Sequence, residues 1–273
     1  MRARHAVGGK HPRVFDDRFA RLFLDAPSLA LAVPTPISDW LFGRALGPIR
    51  ALEGEVLARS RYVEEALVPM LANGLDQVII LGAGFDTSAL THANSGARFF
   101  EVDHPATQAE KRAILARHDG VAHAITFVPV DFATDNLAKA LIEAGFDTNR
   151  PALISWLGVV MYLDQDVAIA TLKQLRTILT RGSMILFDAY PRPEETSADE
   201  HLLFASARAF TAAAGEPMIG LFNSPAFSEA IEGSGWGIAN IMKGDAMRDR
   251  WFGGQPRIIH PPKSVLFYTL VAE

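Results

Sequence analysis

The segment Leu81–Gly82–Ala83–Gly84–Phe85–Asp86–Thr87 carries the residues best suited to holding a ligand against backbone. Glycine lets the chain turn tightly and lets a ligand approach with no Cβ in the way. A dinucleotide site adds a third glycine, in the pattern G-x-G-x-x-G, so that a helix N-terminus can receive the pyrophosphate. Here Thr87 holds that position, and Asp86 puts a carboxylate close to where phosphate would sit. A cationic ligand without phosphate suits the loop better. S-adenosylmethionine carries a sulfonium and an ammonium group, and a nearby carboxylate attracts both. The same residues also suit a plain strand-to-helix turn with Asp86 as its cap.

Three acids sharpen the choice. Asp103 lies 19 residues after Gly84, and an acid about 20 residues past a glycine loop is where a ribose diol is gripped by paired hydrogen bonds. Glu101 is the second candidate, because alternation along a strand puts it on the same face as Asp103. Asp131 follows a third apolar run and is placed to accept from an adenine amino group, with Phe132 packing on the ring. With Asp86, Asp103 and Asp131, acids stand at the ends of three consecutive strands, a constellation that chance explains poorly.

Methyl transfer asks for little chemistry from the protein beyond alignment and exclusion of water, which can supply roughly 7–11 kcal/mol of a barrier. A carboxylate acceptor needs no base, while a hydroxyl benefits from one within hydrogen-bond reach. Tyr162, in Val159–Val160–Met161–Tyr162, and the stretch Asp188–Ala189–Tyr190 are expected to border the acceptor. Of eight histidines, His104 sits beside Asp103 and His201 lies in a late helical stretch able to roof a pocket. Tyr162 and His201 are the catalytic candidates. No HxH or HExxH spacing suggests a metal site, and no G-x-S-x-G elbow suggests a hydrolase.

These residues need a scaffold that brings strand ends to one edge. Gln77–Leu81 is a short apolar run ending in glycine, as a buried parallel strand reads. Strands follow at 97–102, 125–130, 152–157 and 183–188, alternating with helices at 107–118, 136–144 and 164–179. That alternation implies an α/β fold with a parallel sheet covered on both faces. Residues 1–75 read as helices interrupted by Pro34, Pro36 and Pro48, with helix-like spacing over 52–71 up to Pro69. After the fifth strand a helical insertion carries Leu203, Phe204 and Phe210, a further helix covers 227–235, and late strands at 238–243 and 263–272 are joined by a Gly/Pro-rich segment. The economical division is one domain, with N-terminal helices over 1–75, a cofactor-binding core over 76–190, a lid over 191–235 and C-terminal strands over 236–273.

Composition narrows the partners. The 273-residue chain has a net charge of −5, so no global positive field favours nucleic acid or an anionic membrane. With no cysteine, disulfides, thiolate metal sites and a cysteine nucleophile are excluded. The longest apolar runs fall short of the roughly 20 residues a membrane span needs. The expected partner is a small-molecule acceptor and the expected compartment the cytoplasm.

The segments LGAGFDTSAL, RFFEVDHPATQAEKRAIL, VPVDF and SWLGVVMYL together resemble the leucine carboxyl methyltransferase family, and within it a bacterial branch of polyketide-type O-methyltransferases. The likeness runs from VFDDRFARLF to the tail. It implies a class I methyltransferase (Rossmann-like) fold: a seven-stranded, mostly parallel sheet with its last strand antiparallel, a helical N-terminal extension and a helical lid. It implies S-adenosylmethionine as cofactor, with Arg59 of Ala58–Arg59–Ser60–Arg61–Tyr62 on the cofactor's carboxylate, a bidentate task that favours arginine over lysine. The resemblance assigns the methionine end to Gly82, Ala83, Gly84 and Asp86, the ribose to the EVD acid, and the adenine to Asp131 and Phe132. Leu157 stands at the strand-four cofactor position where phosphatase methyltransferases carry a glutamate, which argues against inheriting a C-terminal leucine as substrate. The expected activity is O-methylation of a small hydrophobic molecule bearing a hydroxyl or carboxyl group. Two rival readings are an NAD(P)-dependent oxidoreductase and a protein that binds the cofactor without transfer.

Overall fold

The computed structural model describes residues 1–7, 13–33, 35–38, 40, 51–118, 123–132, 134–213, 215–255 and 259–272. Pro34 and Pro48 lie outside them.

Eight strands build one sheet: β1 (Gln77–Leu81), β2 (Arg98–Asp103), β3 (Ile125–Pro129), β4 (Leu153–Trp156), β5 (Met184–Pro191), β6 (Leu221–Phe222), β7 (Trp236–Lys243) and β8 (Leu266–Ala272). The order is β3-β2-β1-β4-β5-β8-β7, with the two-residue β6 alongside β5 off this path. Pairings from β3 to β5 are parallel, and β8 runs antiparallel to both β5 and β7. The path therefore has the seven strands expected, with the last one reversed, and β6 is an addition that the sequence did not announce. Chain order reverses between β1 and β4, and an open parallel sheet receives ligands beyond its strand ends at such a switch point.

Alternation along β1 fills a core on each face of the sheet. Ile79 and Leu81 join Phe100, Val102, Ile154 and Phe187 on one side, beneath Leu141, Leu172 and Ile231 from three helices. Val78 and Ile80 join Phe99, Leu153 and Leu186 on the other, beneath Leu57, Ala58 and Leu67 of the long helix Ala51–Ala72. Side chains of successive strand residues point to opposite faces, which is why the five residues of β1 are all buried. Pro69 lies inside the long helix rather than ending it.

The insertion after β5 contains the helix Ala198–Ala213. The segment between the late strands, read as a Gly/Pro-rich join, instead begins with a helix, Gly244–Trp251. Among the described residues no helix is long and apolar enough to cross a membrane.

Candidate active site

β1 ends at the glycine loop. Gly82 has φ +61°, and a Cβ there would lie 2.3 Å from Val159 Cγ2, so both the turn and the close approach of the β4 loop require glycine. Asp86 Oδ1 accepts from Ser88 N at 2.7 Å, closing a side-chain turn just before the short helix Ser88–Thr91, whose N-cap is Thr87. Asp86 nonetheless borders a cleft of about 280 Å³ together with Gly82, Ala83 and Gly84. The side chain that closes this turn is thus also a cleft residue, while the cap position expected of Asp86 is held by Thr87.

Across the cleft stands Arg59, from the long helix, and Leu157 and Gly158, from the end of β4, complete that wall. The Arg59 guanidinium is held from behind. Its Nε donates to Asp188 Oδ2 at 2.9 Å, and its Nη2 lies 2.7 Å from the same oxygen. Nη2 also donates to Glu55 Oε1 at 2.5 Å and reaches Tyr190 Oη at 3.3 Å. The Asp188 and Glu55 carboxylates hold the Arg59 value above its ordinary range despite burial. Asp188 Oδ1 accepts from Gly158 N at 2.7 Å. Gly158 has φ +73°, and a Cβ on it would approach Arg59 Nη1 to 3.2 Å. Nη1 is therefore the edge that Arg59 turns toward the cleft wall, and no acceptor among the described residues binds it.

Asp103 does not border the cleft itself but braces its glycine loop. Its Oδ2 accepts from Gly84 N at 2.5 Å and its Oδ1 from His104 N at 2.7 Å. Each oxygen keeps a second lone pair for another donor. Glu101 has a different environment from its strand neighbour. It is buried against Lys111 at 2.7 Å, and burial pushes its carboxyl up to about 7. Lys111 Nζ in turn donates to Asp86 O at 2.7 Å. Gln108 donates to the Glu101 and Val128 carbonyls at 2.8 and 2.9 Å, tying β2 to β3. Much of the EVDHPATQAEKR run is thus a brace beneath the loop.

Asp131 and Phe132 follow β3 and are half-buried, Phe132 against the core, outside the lining of the cleft. Tyr162 ends the one-turn helix Val160–Tyr162, half-buried against the second core. Its phenol is raised, mainly by burial. Asp188 and Tyr190, expected to border the acceptor, are taken up by Arg59 and Glu55 instead. His201 lies elsewhere again. It lines a second cavity of about 260 Å³ with Pro191, Phe204 and Leu221, and its Nε2 is 3.0 Å from Pro193 O.

Two contributors carried no signal in the sequence. Arg2 reaches the cleft and donates from Nη2 to Phe85 O at 2.6 Å. Asp17, fully buried, accepts from Thr87 Oγ1 at 2.8 Å and lies 3.4 Å from Arg2 Nη1. Together they fasten the N-terminal segment over the loop. Among the described residues no cluster of His, Asp or Glu could hold a metal ion.

The sequence profile of the leucine carboxyl methyltransferase family matches residues 1–176. A putative S-adenosyl-L-methionine-dependent methyltransferase of Bacillus subtilis is 31% identical over 233 residues, 81% of this chain and 72% of that protein. Among solved structures, a DUF574 family protein of Streptomyces avermitilis superposes with a TM-score of 0.57 at 17% identity, over 87% of this chain and 91% of that one. The magnesium protoporphyrin IX methyltransferase of Synechocystis, solved with bound SAH, superposes with a TM-score of 0.51 at 13% identity, over 94% of both chains. These likenesses establish the class I methyltransferase fold, and the sequence matches leave the dinucleotide reading without support. The chain belongs to the leucine carboxyl methyltransferase family.

Proposed function

We propose that this protein transfers a methyl group from S-adenosylmethionine to an oxygen of a small, largely apolar acceptor bearing a hydroxyl or carboxyl group, as a polyketide-type O-methyltransferase of the cytoplasm. The cofactor is S-adenosylmethionine. The observation that carries the reading is the cleft itself: a glycine-turned loop on one side, Asp86 at its border, and on the other a braced arginine whose Nη1 has no acceptor among the described residues. An α-carboxylate fits the guanidinium, and the cationic groups beside it fit the carboxylate of Asp86.

When bound, the cofactor supplies an electrophilic methyl group already activated by its sulfonium. The remaining work falls to this chain. Arg59 fixes the carboxylate, Gly82, Ala83 and Gly84 hold the methionine end by backbone, and Leu157 packs beside it. Asp103 has lone pairs left for the ribose hydroxyls, with Glu101 behind it keeping Lys111 in place under the loop. Asp131 and Phe132 serve the adenine. Tyr162 keeps its proton at neutral pH, because burial raises the phenol, and can donate a hydrogen bond that orients the acceptor oxygen. His201 serves from the second cavity, beneath the lid helix. Among the described residues no histidine lines the main cleft, which favours an acceptor that arrives already ionised, since such an oxygen needs no base.

Calorimetric titration of the purified chain with S-adenosylmethionine and, separately, with NADH tests the cofactor. Micromolar binding of the former alone is expected, and binding of neither overturns the reading. Incubation with methyl-labelled cofactor and a panel of aryl carboxylic acids and phenols then tests transfer. A chain that binds the cofactor yet methylates none of them is a binder, not a transferase of this class.

A further inference from the structure

The cluster behind Arg59 holds one more negative charge than it can use, and this inference rests on the reading that Arg59 receives the cofactor's carboxylate. Asp188 and Glu55 are each about 1% exposed, and both are paired to the single Arg59 guanidinium. With both ionised, two carboxylates face one cation before any ligand arrives. A third carboxylate entering this buried place would meet net repulsion, because like charges disfavour one another most strongly where water is scarce.

The two acids are not equivalent. Both Asp188 oxygens are partnered: Oδ1 accepts from Gly158 N, and Oδ2 faces Arg59 Nε and Nη2. Glu55 accepts at Oε1 from Arg59 and from the Tyr190 hydroxyl, while its buried Oε2 has no hydrogen-bond partner among the described residues. Burial and the nearby Asp188 raise the Glu55 carboxyl, against the pull of Arg59 and Tyr190. Tyr190 cannot be the proton's acceptor, since burial and Glu55 push its phenol well up and it stands as the donor of the pair. The other groups facing the cluster are Tyr162, from the turn after β4, and Met161, whose sulfur lies 3.7 Å from Arg59 Nη2. Tyr162 in turn faces Glu216.

We propose that Glu55 takes up one proton from solvent, at Oε2, when the cofactor's carboxylate docks on Arg59, so that cofactor binding is proton-coupled. The proton removes the surplus charge, and no other bond in the cluster has to break. Arg59 keeps its pairing to Asp188 and turns Nη1 to the ligand.

The probe is S-adenosylhomocysteine, titrated calorimetrically into the full chain between pH 6 and 8 in buffers of different ionisation enthalpy. Expected is an uptake approaching one proton per ligand once free Glu55 is ionised, with affinity falling up to tenfold per pH unit above that point. The Glu55→Gln variant keeps an acceptor for Tyr190 and should bind with no proton uptake and a nearly flat pH profile. A buffer-independent enthalpy for the wild type at every pH, or undiminished uptake in Glu55→Gln, overturns the inference. The wild-type measurement decides by itself if the variant does not fold. Absence of any binding overturns the cofactor reading and this one together, whereas binding without proton uptake overturns this one alone.

Discussion

Replacing Asp188 with alanine removes a side chain that connects the long helix, the β4 loop and β5 at the cleft. The carboxylate is buried, and it accepts at 2.9 Å from Arg59 Nε and at 2.7 Å from Gly158 N. Breaking a buried ion pair by deleting one partner costs about 3–5 kcal/mol, because a charge is left uncompensated. Glu55 Oε1, 2.5 Å from Arg59 Nη2, still compensates part of that charge, so the low end, about 3 kcal/mol, applies. Orphaning the Gly158 N–H adds about 1 kcal/mol. The total of about 4 kcal/mol corresponds to a fall of about 8 °C or more in unfolding temperature for a chain of this size. Because Gly158 and Arg59 both border the cleft, affinity for S-adenosylmethionine should drop at least tenfold as well. Scanning calorimetry and isothermal titration of the same preparation measure the two effects. An unfolding temperature within 2 °C of wild type, with affinity within threefold, would refute the assignment of Asp188 as the central tie.

Asp103→Ala should weaken S-adenosylmethionine binding by about 1–3 kcal/mol, since it removes the proposed ribose partner and frees Gly84 N from its 2.5 Å bond; unchanged affinity by titration would sink the ribose role. Glu101 gives a prediction in pH. Its carboxyl is pushed up to about 7 by burial, whereas in the unfolded chain it titrates near 4.3. The group therefore stabilises the fold fully below that lower value, and the contribution, about 3 kcal/mol, is lost as pH rises to 7. The unfolding temperature of wild type should fall relative to Glu101→Gln between pH 4.5 and 7, and parallel curves for the two proteins would contradict it.

What the sequence disclosed about this molecule follows the range of the interactions concerned. β1 was readable to the residue because four consecutive apolar side chains, Val78 to Leu81, directly before a glycine admit few other structures. The turn bond from Ser88 to Asp86 and the proximity of Asp103 to Gly84 rest on short or patterned spacings, and both left a trace. The helix Gly244–Trp251 left none. Its only buried members are Gly244 and Met247, so it lacks the apolar period that marks a helix packed on a core. Glu101 looked like a ribose acid because alternation puts it on the face of Asp103. Only the helix Pro105–Leu115, folding back to bring buried Lys111 within 2.7 Å, gives it another partner. The Arg59–Asp188 pair spans 129 residues and the Tyr190–Glu55 pair 135. No local pattern encodes which distant acid meets which base. His201 was placed near the acceptor by its position in the lid segment, and the structure puts it in a cavity of its own.

That separation of 129 residues between Arg59 and Asp188 also has a timetable. At about 5–20 residues per second on the ribosome, Asp188 is made roughly 6–26 s after Arg59. Throughout that interval the nascent helix carries a guanidinium whose final partner does not yet exist. Glu55, one turn earlier on the same helix, is there from the start and serves as a local counter-ion, supporting the helix in the manner of any acid placed four residues before a base. The residue that crowds the finished cluster with negative charge is thus the one that shelters its cation during synthesis.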